Sequence, residues 1–255
     1  MTLPKFSIIT VVFNNEATIA DTVRSVSMQT YSNVEYLIID GKSTDGTLKR
    51  IKDSGGTVTH LISEPDDGIY DAMNKGIALA SGEFIGFINA DDFYPSANVL
   101  SKVAEAFEKS GADSCYGDLC YVKQAGPTRI VRYWRSKEFM RGAFEKGWCP
   151  PHPTFFVRRA VYERLGGFDL SFKIASDFEL MARYLEAARI SSRYIPEVLV
   201  KMRMGGTTNR SLSNIFKQNA EIRRALSKNG LRSSLVSFVL NKLVSRAIQF
   251  VRRPA

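Results

Sequence analysis

Cysteine is scarce in this chain: Cys115, Cys120 and Cys149 are the only three, without CxxC spacing, so neither a disulfide framework nor a cysteine zinc site is indicated. Long apolar runs are also missing. The longest stretch free of Asp, Glu, Lys and Arg is the 11 residues 147–157, which contain three prolines, whereas a spanning helix needs about 20 apolar residues. The apolar residues 6–13 follow only Lys5, lack a small-residue cleavage site and lead into Asn14, Asn15 and Glu16. They read as a first strand and not as a secretion signal, and the expected compartment is the cytoplasm. No GxGxxG occurs, and the nearest approach to a P-loop, residues 41–46, continues with Thr47 where a lysine is required. A Rossmann dehydrogenase and a P-loop kinase are thereby excluded. Acid is absent after Glu221: residues 201–255 carry 12 basic groups and a balance of +11, while residues 1–200 balance at −2. A near-neutral body offers phosphodiester chains no general attraction, so nucleic acid is not an expected partner.

What is present describes a globular protein. The 255 residues are 44% hydrophobic and 11% aromatic, enough for one large domain or two small ones with a substantial core. β-Branched and aromatic runs at 6–13, 34–40, 58–63, 83–89 and 114–123 alternate with amphipathic segments at about 15–29, 45–55, 70–80 and 97–110. This pattern predicts an α/β fold with a mainly parallel sheet flanked by helices. Residues 126–153 read as loops, followed by helices at 158–165 and 176–188 and a helical appendage from 206 to 255.

Ligands of such sheets bind beyond the carboxyl ends of the strands, where this chain gathers polar residues. Asn14 and Asn15 follow the first strand, Asp40 closes the second, and Asn89, Asp91 and Asp92 follow the fourth. Adjacent carboxylates repel, and a hard cation shared with phosphate oxygens relieves that repulsion; an Asp pair capping the next helix is the plainer alternative. Asp40 is an acceptor suited to the imino proton of a pyrimidine, and Asp45 reads as a helix cap. Asp67, Asp71, Asn74 and Lys75 share one side of a loop and helix start, which a solvated helix face also explains.

Four segments in this order, SIITVVFNNEATIADTVRSVSMQTY, EYLIIDGKSTDGT, GIYDAMNKGIALASGEFIGFINADD and HPTFFVRRAVYERLGGFDLSFKIASDFELMAR, resemble glycosyltransferase family 2, inverting nucleotide-sugar enzymes of the GT-A fold, over about residues 5–205. The resemblance implies a catalytic domain over 1–205, with a nucleotide-sugar half at 1–120 and an acceptor half at 121–205. It places Asp91 and Asp92 at the DXD-type motif for Mg2+ or Mn2+, with Asp92 the favoured ligand. Thr10, Val12, Asn14 and Glu16 would cradle the nucleoside, Asp40 would meet the base, and Asp67, Asn74, Lys75 and Asp91 would lie near the donor phosphates or sugar. Asp177 matches the general base, with Glu179 as the alternative; residues two apart on a helix point away from each other. His152 and Trp148 are assigned to the loop over donor and acceptor.

The implied activity is transfer from a nucleotide-diphosphate sugar, UDP or dTDP favoured, to a glycan or lipid-linked acceptor. A nucleotidyltransferase releasing pyrophosphate and an inactive membrane-binding adaptor are the competing readings. Residues 231–251, apolar on more than half the circumference of a helix and dotted with Arg232, Lys242 and Arg246, suggest peripheral contact with the inner membrane surface, slightly ahead of packing on the domain.

Overall fold

The structure is a computed structural model that describes residues 3–124, 129–205, 212–232, 241 and 248–250. Eight strands among them form one sheet. Strands β1 (Phe6–Val12), β2 (Val34–Asp40), β3 (His60–Ser63) and β4 (Phe84–Phe87) run parallel in the order β3-β2-β1-β4. Helices α1 (Ile19–Ser27), α2 (Thr47–Asp53) and α3 (Ile69–Leu79) provide the crossovers, and α4 (Val99–Ser110) follows β4. Alternate side chains leave a strand on opposite faces, and the core divides accordingly. Ile9, Val11, Leu37, Ile39, Ile85 and Phe87 join one cluster with α3; Phe6, Ile8, Tyr36, Ile38 and Phe84 join the other with α1 and α4. At Gly76 a Cβ would stand 2.5 Å from Ile9 Cγ2, so glycine lets α3 lie close on β1.

Beyond β4 the sheet ceases to be purely parallel. Strand β7 (Phe156–Arg158) inserts antiparallel between β4 and β5 (Ser114–Val122). Strand β6 (Ile130–Trp134) pairs antiparallel with β5, inside the region expected to be loop. Strand β8 (Ser192–Arg203), absent from the sequence reading, runs parallel to β5. Pro196 and an irregular burial pattern disguise β8. Its register shifts between Tyr116 and Asp118, where a Cβ on Gly117 would lie 2.5 Å from Leu199 Cγ.

Helices α5 (Arg159–Leu165), α6 (Ser176–Ala182) and α7 (Leu212–Lys228) complete the described fold, with a π-helical turn Arg183–Ala187 continuing α6. Helix α7 lies within the stretch expected as a separate appendage, yet Ile222, Ala225 and Leu226 enter the same core cluster as α3 and α6. Glu221 accepts hydrogen bonds from the backbone amides of Lys173, Ile174 and Ala175 at 3.0, 2.8 and 2.9 Å. Among the described residues, helix α7 therefore packs on the body of the domain; residues 206–211 lie outside the described residues. Most of the basic segment 231–255 lies outside the described residues, and no described helix is long and apolar enough to cross a membrane.

Candidate active site

In register, Val12, Asp40 and Ser63 form one row at the carboxyl edge of β1, β2 and β3. Two loops are zipped together above that row. Asn14, held at φ +47°, accepts from Thr44 N at 2.8 Å, while its own N–H donates to Ser43 Oγ at 2.8 Å. Glu16 accepts from Gly46 N at 2.9 Å. Asp40 is fully buried, its carboxylate accepting from Ser43 N, Ser43 Oγ and Ser63 Oγ at 3.0, 2.5 and 2.6 Å. A side chain so supplied with donors shapes the 41–45 turn, and contact with a base would require Ser43 or Ser63 to yield.

Several residues expected to touch the donor are committed elsewhere. Thr10 is fully buried and its hydroxyl meets Tyr36 OH at 3.0 Å. Val12 is 5% exposed and belongs to the core. Asn74 accepts from Phe168 N at 2.8 Å and donates to Phe168 O at 2.9 Å. Its amide joins α3 to the chain after α5 through one donor and one acceptor. Lys75 donates to Pro65 O at 2.7 Å and pairs with Glu64 at 3.0 Å and Asp71 at 3.6 Å, bracing the loop before α3. Exposed Asp67 sits on that loop, its N–H donating to Asp71 at 3.1 Å.

The two carboxylates of the pair differ in exposure. Asp92 is fully buried, accepting from Asn89 Nδ2 at 2.8 Å and from Arg203 N at 3.3 Å. Burial, and then the charge of Asp91, raises its pKa well above the carboxylate range. Asp91 is only partly buried; burial raises its pKa too, against the pull of Arg203. Asp91 is thus the more exposed of the two carboxylates. Arg203 fixes the pair from β8, donating to Asp91 O at 2.8 Å and to Asp21 at 2.6 Å. Among the described residues no three acidic, His or Cys side chains converge on one point. The donor set fits Mg2+ or Mn2+ of the kind that takes one or two carboxylates and completes its shell with phosphate oxygens and water.

A cavity of about 610 Å3 opens beside the pair, lined by Asn89, Tyr70, Trp148, His152, Asp177 and Gln218 among others. Asn89 thus touches both the cavity and Asp92. Asp177, at the first turn of α6, accepts from Phe178 N at 2.8 Å and stands 3.3 Å from Tyr70 OH, both through Oδ1. Oδ2 accepts no hydrogen bond among the described residues. Burial raises the pKa of Tyr70, and the Asp177 charge adds to it, so the phenol stays a donor. Burial lowers the pKa of His152, while Asp177 pulls it upward; the neutral ring packs against Phe87 and Phe168. Glu179 faces away from the cavity. It is fully buried and pairs with Arg183 at 3.1 Å and Lys228 at 3.2 Å, which leaves Asp177 alone of the two lining the cavity.

Tyr70, Asn89 and Arg203 are the site residues that carried no role in the sequence reading. Tyr70 and Asn89 lie inside the quoted motifs, whereas nothing local marks Arg203.

The profile described as "Glycosyl transferase family 2" matches residues 7–166, more than half of the chain. A PGL/p-HBAD biosynthesis glycosyltransferase of Mycobacterium tuberculosis is 28% identical over 97% of this chain and 95% of its own length. An uncharacterized glycosyltransferase of the same species is 32% identical over 71% of this chain and 68% of its own. In fold, the chain resembles S. aureus TarS crystallised with UDP-GlcNAc (TM-score 0.69, 17% identity, 94% of this chain and 73% of that one). It also resembles mannosyltransferase PcManGT of Pyrobaculum calidifontis in complex with GDP-Man and Mn2+ (TM-score 0.61, 18% identity, 99% and 82%). With paired carboxylates at the carboxyl edge of a mostly parallel sheet and a half-buried aspartate across the cavity, this chain belongs to glycosyltransferase family 2 and is a glycosyltransferase of the GT-A fold.

Proposed function

We propose that the protein transfers a sugar, with inversion, from a nucleoside-diphosphate sugar to a hydroxyl of a glycan or lipid-linked acceptor. The observation that carries this reading is Asp177, held by Tyr70 and Phe178 N through one oxygen with the other free beside a cavity that Asn89 joins to the carboxylate pair. The acceptor hydroxyl attacks the anomeric carbon from the face opposite the diphosphate. Its new C–O bond forms as the bond to the diphosphate oxygen breaks, the electron pair leaves with the nucleoside diphosphate, and the proton passes to Asp177 Oδ2. Tyr70 orients the carboxylate, and neutral His152 shields it from water without competing for the proton. Asp91 would hold a divalent cation whose charge stabilises the departing diphosphate. The carboxyl edge of β1 and β2, with Asp40 beneath it, suits a nucleoside, and UDP or dTDP is favoured because Ser43 or Ser63, on yielding, would free Asp40 to accept the imino proton of the base. The basic, apolar sequence of residues 231–255 supports peripheral contact with an anionic membrane, which suits a lipid-linked acceptor.

Thermal stabilisation by a panel of nucleotide sugars, with and without Mn2+, tests the reading, because a bound donor raises the melting temperature by mass action. A UDP- or dTDP-sugar should stabilise the protein and release its nucleoside diphosphate on turnover. Release of pyrophosphate would establish a nucleotidyltransferase instead.

A further inference from the structure

A second cavity, of about 690 Å3, adjoins the first: Gly147, Trp148 and Gln249 line both, while Asp177 lines only the first. Its floor is built around Asp118, which is 1% exposed. That carboxylate accepts from Tyr133 OH, from Tyr194 OH at 2.8 Å and from Ser136 N at 2.7 Å. Two aromatic rings and the backbone of the 135–138 loop are thereby fixed before any ligand arrives. Ser136 lines the cavity and is 6% exposed, and its Oγ has no hydrogen-bond partner among the described residues. A buried hydroxyl left unpaired costs free energy that a ligand acceptor would recover.

The rim is mainly cationic. Arg135, which engages Tyr194, and the exposed Lys137 and Lys146 line the cavity. Lys137 Nζ sits 5.5 Å over the Trp148 ring. The lining acid, Glu138, faces Arg193 at 3.6 Å. No ion pair neutralises Lys137 or Lys146 among the described residues. Three cations and an unpaired hydroxyl donor match a group that carries several acceptor oxygens and negative charge, and the flanking aromatic faces suit a sugar ring or an apolar chain attached to it.

We propose that this cavity binds a phosphate or diphosphate ester borne by the acceptor, so that the acceptor straddles Trp148 with its anionic group at Ser136, Lys137 and Lys146 and its hydroxyl at Asp177. The assignment of the group to the acceptor rests on the transfer reading above; the anion site itself rests on the cavity alone. It gives the enzyme a means of selecting phosphate-linked acceptors over neutral sugars.

Calorimetric titration of the full chain with inorganic pyrophosphate, in EDTA so that no cation bridges the probe to Asp91, reads the site directly. Lys137→Gln with Lys146→Gln, both at exposed positions, should weaken pyrophosphate at least about tenfold, and Ser136→Ala several-fold. Asp91→Asn should leave it unchanged. In turnover, the double variant should lower kcat/KM for a phosphate-linked acceptor and not for its dephosphorylated counterpart, with nucleotide affinity retained. Pyrophosphate affinity indifferent to Lys137 and Lys146 would overturn the proposal. So would a defect confined to phosphatidylglycerol vesicles, which would make the cations a membrane contact. Loss of donor binding in the unaltered protein, with a Lys137-dependent pyrophosphate site intact, would instead refute the transfer reading.

Discussion

The substitutions Asp177→Asn and Glu179→Gln make the sharpest test of the site, because two carboxylates two residues apart should fail in opposite ways. An asparagine at 177 can still accept from Phe178 N, at 2.8 Å, and from Tyr70 OH, at 3.3 Å, so the first turn of α6 keeps its shape. What it cannot do is take the proton of the attacking hydroxyl. A lost general base costs about 10² to 10⁴ in kcat, or about 3–5 kcal/mol of barrier, with donor affinity and melting temperature close to those of the parent. At 179 the carboxylate is fully buried between Arg183 and Lys228. Glutamine there keeps some hydrogen bonding but leaves two cations short of charge, at a cost of about 2–3 kcal/mol and a fall of about 5–10 °C in Tm, with kcat nearly unaltered below the transition. Initial rates of nucleoside-diphosphate release and calorimetric melts separate the two. An active Asp177→Asn, or a Glu179→Gln enzyme inactive at an unchanged Tm, would refute the assignment of the base.

Three further outcomes are expected. Asp91→Asn should abolish the divalent-dependent part of donor affinity at an unchanged melt, whereas Asp92→Ala should lower the melt by stranding Asn89 Nδ2 and Arg203 N at about 2–3 kcal/mol; the reverse pattern in titrations of donor with Mn2+ would return the ligand role to Asp92. Glu221→Ala leaves the amides of residues 173–175 without their acceptor, so both Tm and kcat should fall as the turn before Asp177 loosens, and a variant unchanged in both would show that α7 does not position the site. Burial pushes Glu35 upward, but donors from Ser7, Ser81 and Lys5 outweigh it and bring its pKa from the usual 4.5 to about 2. A carboxyl depressed on folding adds stability above its unfolded pKa and loses it as pH falls toward the folded value. Urea midpoints should therefore drop from about pH 4.5 to about pH 2, less steeply in Glu35→Gln, and equal slopes would refute the linkage.

The amino-acid sequence by itself determined the parallel half of the sheet and the edge where its polar strand ends converge. Apolar strands with period-2 faces, each followed by an amphipathic helix, leave few topologies, and strand ends in such a sheet converge whatever lies elsewhere. It also determined that only one of Asp177 and Glu179 could face the cavity, since helical geometry alone turns positions two apart away from each other. Which one faces it was decided by Arg183 and Lys228, which claim Glu179. Tertiary structure likewise decided which of the carboxylate pair is buried, Arg203 reaching Asp92 across 111 residues of sequence. Asn74 was claimed by a backbone 94 residues away, and Thr10 by Tyr36 in the core. Strand β8 was settled by pairing with β5 despite Pro196. A polar residue at a strand end or helix start has the same local signature whether it meets a ligand or another part of the chain. The partner that decides between the two is supplied by contacts distant in sequence, and no local pattern encodes them.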